Sequence, residues 1–150
     1  MERKEKTLNG FTLPELMVTA VIIILVFLGM LLGLIKCLEL HELSRNSFLA
    51  VSAVKTKVED IKNTALTDLV TTYNNVTFTT PDLNGIGVSY VDNTNPDLFK
   101  ITVAFCWRQK NGRIVGEDQN LNGRVDGGED ANGNGILDSP VEIVSYIYNP

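Results

Sequence analysis

Asp118-Gln-Asn-Leu-Asn-Gly-Arg-Val-Asp-Gly-Gly-Glu129 is a twelve-residue stretch rich in side-chain oxygen. Asp118, Asn120, Asn122 and Asp126 occupy its first, third, fifth and ninth positions, Gly123 the sixth and Glu129 the twelfth. That spacing suits calcium, which takes roughly six to eight oxygens in a flexible shell. Gly123 permits the sharp turn that folds alternate side chains, together with the Arg124 carbonyl, onto one point. The chemistry implied is binding of a hard cation, not bond making.

The pattern recurs. Asp130, Asn132, Asn134, Gly135 and Asp138 repeat Asp118, Asn120, Asn122, Gly123 and Asp126 at a spacing of twelve, which places Ile136 where Arg124 stands. The second copy departs at its end: its twelfth position is Val141, and the nearest following acid, Glu142, comes one residue late in an expected strand. One Ca2+ is expected in the first copy. In the second, Asp130, Asn132, Asn134, the Ile136 carbonyl, Asp138 and Glu142 offer a second ion, or the two copies pool ligands around fewer ions. No long helix flanks either copy, so the segment reads as EF-hand-like calcium loops grafted between strands. The competing reading is a string of Asn-Gly turns with solvated charges.

Charge singles out the same segment. Residues 117–142 hold seven acids and one arginine, a net −6, while the chain totals −5, so the remainder sums to +1. Such a cluster folds compactly when neutralised and repels phosphate; with no basic stripe elsewhere, nucleic acid is not an expected partner. Calcium would order this segment and fix the last strand. Two cysteines, Cys37 and Cys106, exclude a disulfide framework and a four-Cys zinc site, and both are expected as free thiols. One His, no nucleophile–base motif and no phosphate loop leave no catalytic residue to name.

At the other end, residues 16–35 form an uncharged run of twenty, long enough for a bilayer span of about 30 Å. Arg3, Lys4 and Lys6 precede it and hold that end in the cytoplasm by the positive-inside bias. No small-residue cleavage site follows the run, so an ordinary secretory signal does not fit. Thr12-Leu-Pro-Glu15 has capping-box spacing, and Pro14 is tolerated in a first helical turn. An acid there gains up to about 1 kcal/mol from the helix dipole.

Gly10-Phe11-Thr-Leu-Pro-Glu15 leading into this span resembles the start of type IV prepilins and the related type II secretion pseudopilins. Those families share a charged leader ending in Gly, a Phe that becomes the new N-terminus, and a Glu five residues into the mature chain. The resemblance covers about the first 40 residues. It implies removal of residues 1–10 by a prepilin peptidase, N-methylation of Phe11, and assembly with other pilin subunits into a homo- or heteropolymer. Before assembly the single-pass helix sits in lipid of the inner (cytoplasmic) membrane beside an inner-membrane assembly platform; afterwards it forms the core of a cell-surface or periplasmic filament. In that core an unpaired Glu15 would cost several kcal/mol, and the Phe11 amine of a neighbouring subunit is the expected partner.

Four segments follow: leader 1–10, apolar helix 11–37, amphipathic helix 38–73, and head 74–150. Leu40, Leu43, Val51, Val54, Val58, Ile61, Ala65 and Leu69 lie at helical spacing and predict one face of a helix continuing to Leu69, about 85 Å in all. Short β-type runs then lie at 76–80, 86–91, 98–108, 113–115 and 141–148, with Asn84-Gly, Asn93-Thr-Asn-Pro96 and Asn111-Gly as breaks. Ile101, Val103, Phe105 and Trp107 alternate with Thr102, Ala104, Cys106 and Arg108, so the first four face the helix. The fold expected is α+β, a long N-terminal helix packed on an antiparallel sheet of about four strands. Its role is that of a structural filament subunit; the alternative is a minor tip subunit acting as a calcium-dependent adhesin or binding module, which subunit abundance would distinguish.

Overall fold

The computed structural model describes residues 10–149, and the leader's Arg3, Lys4 and Lys6 lie outside the described residues. The chain divides into two compact units, one ending at His41 and one beginning at Glu42. A long helix, α1 (Leu13–Lys62), supplies residues 13–41 to the first and 42–62 to the second.

In the first unit every described residue is exposed, including Phe11, Leu16, Phe27 and Ile35. The helix is long and apolar enough to cross a membrane. At its start the Leu16 N–H donates to the Thr12 carbonyl, and the Thr12 N–H donates to Glu15 Oε2 at 3.4 Å. That second bond is the backward half of a capping box. The Thr12 hydroxyl also turns to Glu15 Oε2, at 3.5 Å, so both Thr12 donors serve the one carboxylate.

In the second unit α1 buries Asn46, Ala50, Val54, Val58 and Ile61, a stripe of steps four, four, four and three. Val54, Val58 and Ile61 are buried as expected; Leu40 and Leu43 are exposed, and Asn46 and Ala50 complete the buried stripe. The helix also stops short of Leu69. Asn63 N donates to Glu59 O, Thr64 N tightens onto Ile61 O, and the Thr64 hydroxyl donates to Asp60 O, which satisfies the last carbonyls. Ala65 is then extended, and a 3₁₀ turn (Leu66–Asp68) leads into a short helix, α2 (Leu69–Tyr73), that buries Leu69.

Five strands follow: β1 (Val76–Thr80), β2 (Leu83–Asn95), β3 (Leu98–Arg108), β4 (Ile114–Val115) and β5 (Glu142–Tyr148). All pairings are antiparallel, with β1 on β2, β2 on β3, and both β4 and β5 on the remaining edge of β3. Asn84-Gly85 does not break the chain; the turn falls at Pro81-Asp82 and β2 runs through the glycine. A Cβ at Gly85 would overlap the Cys106 carbonyl and the Phe105 and Trp107 side chains, so the residue marks a close approach inside a strand. Gly87 likewise leaves room for the ring of Phe78, its cross-strand partner. The Asn93–Pro96 break also shifts, because β2 extends to Asn95 through a register irregularity and the turn is Pro96-Asp97.

One core joins Ala50, Val54, Val58 and Ile61 of α1 to Val91, Ile101, Val103, Phe105 and Trp107 of the sheet. Trp107 is fully buried, as its alternation with Cys106 predicts, and its indole N–H has no hydrogen-bond partner among the described residues. Thr102, Ala104 and Cys106, on the opposite face, are buried too, so β3 is covered on both sides from Ile101 to Trp107. What covers that second face is the acidic segment.

Candidate metal centre in the acidic segment

Residues 116–141 connect β4 to β5 without helix or strand and lie on the face of the sheet away from α1. Leu137, 1% exposed, packs with Val88 and Tyr90 in a second small core, and its backbone N–H donates to the Tyr90 hydroxyl at 3.0 Å. A Cβ at Gly116, whose φ is +108°, would overlap Cys106 Sγ. At Gly123 it would overlap Thr77 Cγ2 of β1. These glycines let the backbone lie flat on the strands. The Ser139 hydroxyl donates to Phe105 O at 2.6 Å and holds the segment's exit against β3.

Within the segment the first copy closes on Asp118, which is fully buried. Its Oδ1 accepts from Asn122 N at 3.1 Å and its Oδ2 from Gly123 N at 2.7 Å. Asn120 Oδ1 accepts from Asn122 N, and Asn122 Oδ1 from Arg124 N. The side-chain amides of Asn120 and Asn122 both donate to Asp126 Oδ2, at 2.8 and 2.7 Å. Those two bonds hold the Asp126 carboxyl below the usual carboxylate range.

The second copy repeats this network and adds one bond, from Gly133 N to Asp130 Oδ1 at 2.7 Å. Asn134 N and Gly135 N donate to the two oxygens of Asp130, Asn134 N to Asn132 Oδ1, and Ile136 N to Asn134 Oδ1. The amides of Asn132 and Asn134 both donate to Asp138 Oδ2. Asp130 is likewise depressed, first by the Gly135 N–H. The backbone agrees as well. Gly123 and Gly135 have φ of +73° and +78°, while three residues after each opening Asp the chain is again left-handed, at Leu121 (+57°) and Gly133 (+72°).

The closing carboxylates are where the sequence reading changes. Glu129 Oε1 accepts from Gln119 N at 2.9 Å and Oε2 from Asp126 N at 3.2 Å, the second and ninth positions of its own copy. In the second copy those positions are Ala131 and Asp138, and both N–H groups donate to Glu117, at 3.2 and 3.0 Å. Glu142, the residue expected there, lies in β5 opposite Ala104. Burial and then the charge of Asp138 push its carboxyl above the usual range. Its carboxyl lies beside Asp138 at the end of the segment, while Glu117 holds the Ala131 and Asp138 N–H groups from the other end. The signal was present in the sequence: Glu-Asp occurs at 117–118 and again at 129–130, at the same spacing of twelve.

The donor set suits a hard cation. In each copy two Asn side-chain amides donate to one carboxylate oxygen, Asp126 Oδ2 or Asp138 Oδ2, while their own Oδ1 atoms accept backbone N–H groups. The amide protons thus occupy the role that a positive ion would take. Among the described residues no group of three or more His, Cys, Asp or Glu is arranged to hold a metal; in each copy two of the five side-chain donors are Asn. Cys106 is buried under the segment, its thiol pushed up by that burial, and Cys37 is exposed; both are free. At the N-terminus Gly10, Phe11 and Glu15 are all exposed. Comparison of the chain with protein-family models, curated proteins and solved structures returns no match.

Proposed function

We propose that this chain is a structural subunit of a type IV pilus or type II secretion pseudopilus, cleaved after Gly10 and assembled through the apolar half of α1. The observation that carries the reading is the contrast along α1. Every side chain from Leu13 to Leu40 is bare, whereas Asn46, Ala50, Val54, Val58 and Ile61 are covered by the chain's own sheet. A bare apolar surface of that length needs lipid or other copies of itself, and a subunit that leaves a membrane to enter a filament core uses both in turn. Glu15 supports the same reading. It is exposed at the head of that surface, and among the described residues the long bonds from Thr12 are what it accepts before assembly. A neighbouring subunit's Phe11 amine would pair with it and set register. The partners are other pilin subunits, a prepilin peptidase, the inner-membrane assembly platform and, before assembly, lipid.

Calcium is the cofactor of this reading. Asp118, Asn120, Asn122, Asp126, Glu129 and the Arg124 carbonyl would hold one ion, and Asp130, Asn132, Asn134, Asp138, Glu117 and the Ile136 carbonyl a second. A bound cation neutralises carboxylates that otherwise repel one another, and thereby fixes the segment against the sheet. No reaction is assigned to the chain.

Mass spectrometry of the mature protein tests processing: a methylated Phe11 is expected, and an intact Met1 would refute it. Assembly is tested by Glu15→Ala, which is expected to abolish filaments while leaving the subunit in the membrane; filaments at the wild-type level would remove the assembly role. Isothermal titration of the chain in detergent micelles tests the cofactor, with millimolar-range or tighter calcium binding expected.

A further inference from the structure

We propose that the two repeats form a single calcium-dependent strap over the sheet's second face, opening and closing together because each is closed by a carboxylate that the other's opening residue carries on its back. This rests on the calcium reading above and concerns how that site is regulated. Glu117 immediately precedes Asp118, which opens the first copy, yet its side chain holds Ala131 N and Asp138 N of the second. Glu129 closes the first copy and immediately precedes Asp130, which opens the second. Displacing either Glu-Asp pair therefore disturbs both copies. A backbone bond from Glu117 N to Asp138 O ties the same two points again.

The strap has something to cover. Beneath it lie Val88, Tyr90, Ala104 and Cys106, each less than a tenth exposed, and the strap touches them through Gly116, Leu137 and the Leu137–Tyr90 bond. Because the segment contains no regular secondary structure, its backbone N–H groups depend on its own carboxylates and amides for partners. Withdrawing the charge-neutralising ion removes the reason for those acids to stay together, and local opening then exposes the strip without unfolding the opposite core. Cys106 is a built-in reporter of that opening, and exposed Cys37 is an internal reference in the same molecule.

The test uses the full chain in detergent micelles, with calcium or with chelator. N-ethylmaleimide labelling of each cysteine is followed by peptide mass spectrometry, and calcium binding is measured in parallel by isothermal titration. Expected is labelling of Cys106 roughly tenfold or more faster in chelator, with Cys37 unchanged. Glu117→Gln and Glu129→Gln are each expected to weaken calcium binding at both sites and to unprotect Cys106 in calcium, whereas Glu59→Gln, exposed on α1 and outside the segment, does neither. Calcium binding with no change in Cys106 labelling would overturn the strap and leave the cofactor reading standing. Loss of one ion in Glu117→Gln with the other bound at wild-type affinity would overturn the coupling, and absence of any calcium binding would overturn the cofactor reading and the strap together. Gly116→Ala supplies a variant outside the acidic network: its Cβ would push the strap off Cys106, so labelling should be fast even in calcium.

Discussion

From Ile101 to Trp107 the sheet is buried on both faces, but these are covered by different means. On one, Ala50, Val54, Val58 and Ile61 of α1 meet Ile101, Val103, Phe105 and Trp107, and the cover is a helix whose own backbone is already satisfied. On the other, Ile86, Val88, Tyr90, Thr102, Ala104 and Cys106 lie under a segment without helix or strand, whose backbone N–H groups are satisfied by Asp118, Glu129, Asp130 and Glu117. The first cover is held by apolar burial, which is indifferent to ions. The second concentrates like charge in order to satisfy its backbone, and so its stability depends on what neutralises that charge. Cys106 and Trp107, adjacent in β3, point to opposite faces and report the two covers separately.

The largest effect is expected on the helix side. Phe105 is fully buried, and Phe105→Ala should cost about 3–5 kcal/mol through lost burial and the cavity left behind. Denaturant unfolding of the full chain in micelles, followed by the emission of the single tryptophan, measures it. That same signal can break the comparison: chelator under native conditions should leave Trp107 emission unchanged while Cys106 becomes reactive. A red shift of Trp107 on chelation would mean that the two covers fail as one unit.

Next in size is the strap's own anchor. Asp118→Ala removes a buried carboxylate that accepts from Asn122 N and Gly123 N, and should cost about 1.5–3 kcal/mol in all. Asp130 accepts a further bond from Gly133 N but is partly exposed, so Asp130→Ala should cost less, about 1 kcal/mol. Equal losses would show that burial of the first copy adds nothing. A backbone comparison follows. Gly133 has φ of +72° and open space around its Cα, so Gly133→Ala should destabilise by about 1 kcal/mol from conformation alone. Leu121 already accepts that conformation in the first copy, where the buried anchor holds it.

How far these covers could be read from sequence follows from the same distinction. Alternation over Ile101–Trp107 specified β3 and its helix-facing residues, because a period of two with large apolar side chains leaves little choice of face. The stripe on α1 was legible at Val54, Val58 and Ile61 but not at Asn46 and Ala50, which carry little hydropathy and are buried for their size and position. Ala65 and Leu69 kept helical spacing after the backbone had turned at Thr64, so periodicity outlasted the helix. Asn84-Gly85 looked like a turn, but its glycine answers to the crowding of Phe105 and Trp107 across the strand. The twelve-residue repeat was legible in full, whereas Glu117 was not, because a ligand pattern is searched forward from its first residue and this carboxylate closes the loop from behind. That the segment covers the sheet could not be seen at all: its contacts run through glycines and one leucine, which carry no pattern.

The smallest expected effect sets the scale for an acidic turn that covers nothing. At the tip of the β2–β3 hairpin Asp92 is exposed, and bonds from the Thr94 hydroxyl and then the Thr94 N–H hold its carboxyl below the usual range. A depressed folded-state value stabilises the fold above the unfolded carboxylate range, and the contribution is lost as pH falls through the folded value. Thr94→Val removes the hydroxyl bond, so the Asp92 titration followed by NMR should move up toward that of an ordinary aspartate. The difference in stability from wild type should be small at neutral pH and vanish in acid. Cys106 protection and Trp107 emission should both stay as in wild type. If this substitution instead exposed Cys106, the carboxylates of the strap would not be acting locally, and the contrast between a covering acidic segment and an ordinary acidic turn would fall.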